Sequence, residues 1–158
     1  MKKTVATVLC ALLLVSLAAC TADTPKKTDV DMEALYTKLT QAAEIPQMID
    51  LDAGLMLDYC GIRSEDVKQA KVLICSDSLR TDEIWLIEAK DAQSAKTIRE
   101  LADKRLAKKG EESITYSPEQ YAVVEKAELI EKDCYLAMIV SPEVQTLSQT
   151  ARREFGLQ

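Results

Sequence analysis

The chain has 158 residues, with 20 Lys and Arg against 26 Asp and Glu and no histidine. That acidic balance disfavours nucleic-acid binding, which leaves a basic patch as its footprint. The length suits one modest domain with one core.

The first element is a leader. Lys2 and Lys3 form a positive start, and Val5 to Leu17 is an apolar run broken only by Thr7 and Ser16. A membrane-spanning helix needs about 20 apolar residues, so the run reads as the core of a signal peptide. Its ending, Leu17-Ala18-Ala19-Cys20, has the form of a bacterial lipobox. There a cysteine thiol takes a diacylglyceryl group, and cleavage before it makes the cysteine the new N-terminus. Cys10 lies inside the run and is expected to leave with it. Residues 1–19 are therefore the expected lipoprotein signal peptide and Cys20 the expected lipidation site. The anchor puts the chain on the extracytoplasmic face of a cell membrane. Each buried CH₂ of lipid adds roughly 0.8 kcal/mol, and two acyl chains make a stable anchor where one does not. Without the two leader lysines, 18 basic residues face 26 acidic ones, a net charge of −8. The membrane contact is thus expected from the lipid rather than from a basic face.

Residues 20–28 are small and polar and read as a flexible tether, with a random-coil reach of about 15–18 Å. Residues 29–158 form the single expected domain. Asp29 to Glu44 carries Met32, Leu35, Tyr36, Leu39, Ala42 and Ala43 at helical spacing, and Pro46 ends it. The stretch from Gln47 to Ile62 reads as irregular with a short helical turn, punctuated by Gly54 and Gly61. Ser64-Glu65-Asp66 turns the chain.

Two strand patterns follow, Ala70–Cys75 and Ile84–Ala89, joined by a connection that includes Asp82 and Glu83. In the second, Trp85, Ile87 and Ala89 share one face and Ile84, Leu86 and Glu88 the other. Asp91 is the expected N-cap of a helix with Ala92, Ala95, Ile98, Leu101, Ala102 and Leu106 on one stripe, closing at Lys108-Lys109-Gly110. Ser117 and Pro118 open a short helix. Ala127–Glu131, a Lys132-Asp133 turn and Cys134–Val140 form a hairpin. Ser141-Pro142-Glu143 then starts a final helix with Val144, Leu147, Ala151 and Phe155 inward.

The order strand-strand-helix occurs twice, with a faint echo at an offset of 50: Trp85-Leu86 against Tyr135-Leu136, and Asp91-Ala92 against Ser141-Pro142. The fold class is α+β: a four-stranded antiparallel sheet with helices on one face, plus the N-terminal helix and the signal-peptide helix. The other face is left for the N-terminal helix and residues 46–62, or for a partner.

Chemistry-bearing motifs are few. Asp82, Glu83, Glu88 and Asp91 flank a strand and read as solvent-facing or capping residues. Cys60, Cys75 and Cys134 are far apart, with no CxxC and no histidine to complete a metal site. They read as partly buried thiols, with one disulfide plus a free thiol as the alternative. Ser64, Ser117 and Ser141 lack a histidine partner and suit cap positions. No acidic stretch has the spacing of a calcium loop, and four glycines leave no phosphate-cradling loop. No metal, cofactor or catalytic residue is expected.

The motifs "DYCGI", "DEIWLIEAKD", "YSPEQY" and "KAELIEKDCYLAMIVSP", together with the lipobox, resemble a family of short lipoproteins common in Firmicutes and classed as a domain of unknown function. The resemblance covers roughly Ile49 to Phe155. It departs at Cys60, which stands between Tyr59 and Gly61 where the family shows Tyr-Gly, and at Asp133-Cys134, where the family tends to turn on glycine. The resemblance implies surface anchoring and supplies no activity.

Three functions remain. The first is a non-enzymatic, membrane-anchored module with an envelope protein or component as partner, its binding residues undefined. The second is a small-ligand-binding lipoprotein serving a transporter, with a pocket beside Trp85 or Tyr135. The third is a thiol enzyme using Cys60.

Overall fold

A computed structural model describes residues 29–157. The expected signal peptide and its helix, Cys20 and the 20–28 tether lie outside the described residues.

Helix α1, Met32–Ala42, starts at Asp31, whose side chain accepts from the Ala34 N–H at 2.7 Å. Strand β1 is Met48–Asp50. Helix α2, Ala53–Cys60, is capped by Asp52 at its start and by Gly61 in the left-handed conformation at its end. A 3₁₀ turn over Ser64–Asp66 leads into β2, Val67–Cys75, and then β3, Glu83–Ala89. Helix α3 is Ala92–Tyr116, and α4 is Pro118–Glu125. The hairpin β4, Glu128–Lys132, and β5, Tyr135–Val140, precedes the last helix α5, Val144–Glu154.

The sheet is antiparallel throughout, in the order β1-β2-β3-β5-β4. It therefore has five strands, not the expected four. The extra one is β1, which pairs with the outer edge of β2 through Met48 opposite Cys75 and Asp50 opposite Leu73. Three residues are too few to show an alternation, so hydrogen bonding to β2 creates this strand rather than any pattern of its own.

Helices cover both faces: the N-terminal helix α1, to which the sequence left the second face, lies there together with α5, whereas α2, from the 46–62 stretch, packs on the α3 face. All seven residues of β3 are buried, which requires a layer on each side. Ile84, Leu86, Ala137 and Ile139 meet Leu35 and Leu39 of α1 and Leu147, Ala151 and Phe155 of α5. Trp85, Ile87, Leu136 and Met138 meet Met56 and Cys60 of α2, Ile98 and Ala102 of α3 and Val124 of α4. Each large side chain fully buried this way contributes about 1.5–3 kcal/mol. The two strand-strand-helix units are not a structural repeat, because α3 and α5 leave on opposite faces.

Two local features also differ from expectation. Helix α3 does not stop at Gly110 but runs on to Tyr116. Ser117, pushed into extended backbone by the following proline, ends it and caps α4 by accepting from the Gln120 N–H. The stretch before Gly61, expected to be irregular with a short helical turn, contains an eight-residue helix with Met56 and Cys60 buried one turn apart. At the β4–β5 turn Asp133 takes the positive φ, 55°, that the family resemblance would give to glycine. Aspartate tolerates that conformation better than most residues.

Gly61 has φ 73° and a Cβ there would lie 3.1 Å from Leu101 Cδ2. We expect Gly61→Ala to lower stability by about 1–2 kcal/mol, the cost of a left-handed non-glycine residue, read as a reduced urea midpoint at unchanged slope.

Candidate functional site

The alternation of β3 places Glu83 on the same face as Trp85, Ile87 and Ala89. That face is covered by α3, and Glu83 is 0% exposed. The stripe of α3 that meets it runs Ser94, Ile98, Ala102, Arg105, Lys109 and Ser113, at helical spacing. Ile98 and Ala102 are apolar, and Arg105 and Lys109, further along, are cationic. The cations arrive opposite the carboxylate.

The contacts saturate that carboxylate. Trp85 Nε1 donates to Glu83 Oε1 at 2.8 Å. Arg105 Nε donates to both oxygens, at 2.9 and 3.1 Å, and Nη2 to Oε2 at 2.8 Å. Lys109 Nζ stands 3.0 Å from Oε2. Burial pushes the carboxyl pKa upward, but the Arg105 hydrogen bonds and the Lys109 and Arg105 charges outweigh it, and the net shift is downward. Arg105 answers in the opposite sense: burial lowers it, the bonds and charge of Glu83 raise it, and the net direction is up. Glu83 is thus an ionised buried group, not the solvent-facing residue that its place beside a connection suggested.

Cys60 lies against this cluster. Burial pushes its thiol up to about 12, and the Glu83 charge adds to the rise against the opposing Arg105 and Lys109. Thiolate is the nucleophilic form, and these surroundings favour the protonated thiol at neutral pH. Cys60, Cys75 and Cys134 are all free thiols.

The remaining acidic candidates are accounted for locally. Asp82 is buried and takes Arg80 in a two-pronged pair at 3.0 Å each. Glu88 is buried and accepts from Lys68 at 2.9 Å and Gln69 at 3.1 Å. Asp91 is the expected N-cap, accepting from the Ser94 N–H at 2.8 Å; bonds from Ser94 lower its pKa. Among the described residues no group of three or more Cys, Asp and Glu is placed to hold a metal ion.

Above the cluster lies an open cleft of about 540 Å³. One wall is the β2–β3 loop, Ser78 to Thr81; the other is the elbow where α3 meets α4, including Lys109, Glu112, Tyr116 and Gln120. The walls are tied together. Gln120 Oε1 accepts from the Thr81 N–H at 2.9 Å and from its hydroxyl at 3.0 Å. Leu79 and Tyr116 stand 82% and 87% exposed at the rim. Neither Trp85 nor Tyr135 lines this cleft; both rings are buried, and Tyr135 packs against Phe155 at 5.6 Å between ring centroids. Arg105 and Lys109 were not singled out from sequence, although their spacing of three and seven residues from Ala102 places them on the inward stripe.

We expect Glu83→Gln to destabilise the fold by about 3–5 kcal/mol, because it leaves two buried cations without their counter-charge. With its pKa lowered in the folded state, Glu83 contributes stability above the ordinary carboxylate value of roughly 4.3, and loses it as pH falls through the lowered value. The variant should lose that part of the acid sensitivity, measured as urea midpoints from pH 7 down to pH 3. For the thiols, iodoacetamide at pH 8 should label Cys75 and Cys134 well before Cys60 in the native protein, counted by peptide mass.

The sequence profile of a domain of unknown function (DUF4358) matches residues 41–141, and the chain belongs to that family. No curated protein and no solved structure matches it.

Proposed function

We propose that this member of the DUF4358 family is a membrane-anchored extracytoplasmic lipoprotein whose domain is a non-enzymatic binding module for an envelope component. The observation that carries the binding role is the cleft over the Glu83–Arg105–Lys109 cluster. Its floor is held by buried charge and its walls by the Thr81–Gln120 bonds, so its shape exists before any ligand arrives. Pre-formed sites spend little free energy on ordering.

The same chemistry argues against catalysis there. Glu83 accepts from three side chains and has no lone pair left to act as a base. The nearest thiol is held protonated. The lipobox ending at Cys20 supports the anchor.

On this reading the cleft opens away from the membrane. The chain enters the domain at Val30, whose N–H lies 3.4 Å from the Tyr135 hydroxyl. Tyr135 opens β5 and pairs with Glu88 near the end of β3, whereas Glu83 begins β3. Seven residues of strand separate the two ends by about 20 Å at 3.4 Å per residue.

The anchor is tested by the mass of the mature N-terminal peptide from the membrane fraction, wild type beside Cys20→Ser. A diacylated Cys20 that disappears in the variant, with the protein moving to the soluble fraction, is the expected result. A chain retaining Met1 removes the reading.

A further inference from the structure

Resting on that reading and naming the chemistry of its site, we infer that the cleft recognises a carboxylate next to an apolar side chain, as at the C-terminal residue of a peptide. Three observations lead there.

The first is an uneven count of donors. An ammonium group has three N–H donors. Lys109 is mostly buried and lines the cleft, and Glu83 is the acceptor it meets among the described residues, at 3.0 Å. The other two donors need acceptors, and the cleft is where its head meets open space. Gln120 supplies a further donor. Its oxygen is fixed by the Thr81 N–H, which can only donate, so its NH₂ is the uncommitted end.

The second is the charge. Two cations, Arg105 and Lys109, share the single Glu83 carboxylate, an excess of one positive charge beneath the cleft. The Arg80 charge is matched by Asp82. Glu112, on the cleft wall, sits 3.8 Å from Lys108 in an exposed pair. The Glu112 charge also reaches Arg105 and offsets part of that excess, which leaves a weakly positive site that suits a monoanion and disfavours a phosphate dianion.

The third is the rim. Leu79 and Tyr116 stand almost fully exposed on the two walls. A polar ligand needs no such flanks, whereas an acid carrying an apolar side chain buries it against them.

The probe is acetyl-alanyl-leucine with a free carboxylate, compared with its C-terminal amide and with inorganic phosphate. Binding to the full chain in detergent micelles is followed by the fluorescence of Trp85, the sole tryptophan, whose Nε1 bonds to the carboxylate that holds Lys109. The free acid should give a saturable change, with the amide and phosphate at least tenfold weaker. Gln120→Glu keeps the acceptor for Thr81 but replaces the NH₂ donor with a negative charge; it should weaken the acid at least tenfold while the urea midpoint stays put. Tyr116→Ala, at an exposed site, should weaken it several-fold. Equal response to acid and amide, tighter binding of phosphate, no saturation up to 10 mM of the acid, or full affinity in Gln120→Glu would each overturn the assignment. Membrane partition of the same variants separates the two claims: these changes leave Cys20 untouched, so a failed titration with intact anchoring removes the ligand class alone.

Discussion

Moving a carboxylate from water into a protein interior costs several kcal/mol even after relaxation, and Glu83 is ionised at zero exposure. The cost is offset because each lone pair facing the protein meets a donor: the indole of Trp85, the fork of Arg105 and the ammonium of Lys109. Those donors come from two elements. Trp85 sits two residues along the same strand, while the cations come from the second half of α3. The first residue of β3 therefore sets how α3 is rotated and how far along the sheet it lies.

This explains why α3 continues where its sequence offers a stop. Lys108-Lys109-Gly110 is a good helix ending by local chemistry, and an interior glycine costs about 1 kcal/mol relative to alanine. Yet Lys109 is tied to Glu83, and Ser113, one turn later, is buried on the same stripe. Tertiary anchoring on both sides of Gly110 outweighs the local preference, and the helix ends only at Ser117, where proline leaves no choice. The extension carries Tyr116 and the α4 start out beside the β2–β3 loop. The cleft is the space left between them.

Much of the fold was legible in the sequence. The two hairpins, the caps at Asp91 and Ser117, the inward stripe of α5 and the two faces of β3 all follow from spacing and local chemistry. β1 was not, because three residues have no period. The split of α3 and α5 onto opposite faces was not read either: the pattern put both on one face and left the other to the N-terminal helix and residues 46–62, or to a partner. The site was half legible. Glu83 is in phase with Trp85, Ile87 and Ala89, and Arg105 and Lys109 are in phase with Ile98 and Ala102. A charge at an in-phase position has two readings, a strand end reaching water or a buried ion pair. Only the pairing of β3 with α3 decides between them, and no single element carries that information.

The matched segment, residues 41–141, divides the molecule unevenly. It contains every strand among the described residues, α2, α3, α4 and the whole of the Glu83 cluster. It omits nearly all of α1 and all of α5, which supply Leu35, Leu39, Leu147 and Phe155 to the other face. A chain cut to those limits would lose the side chains that cover Ile84, Leu86 and Ile139. The two layers thus divide the work. Segments flanking the match close the core on one face, and the charged cluster and its cleft lie wholly within the matched segment on the other.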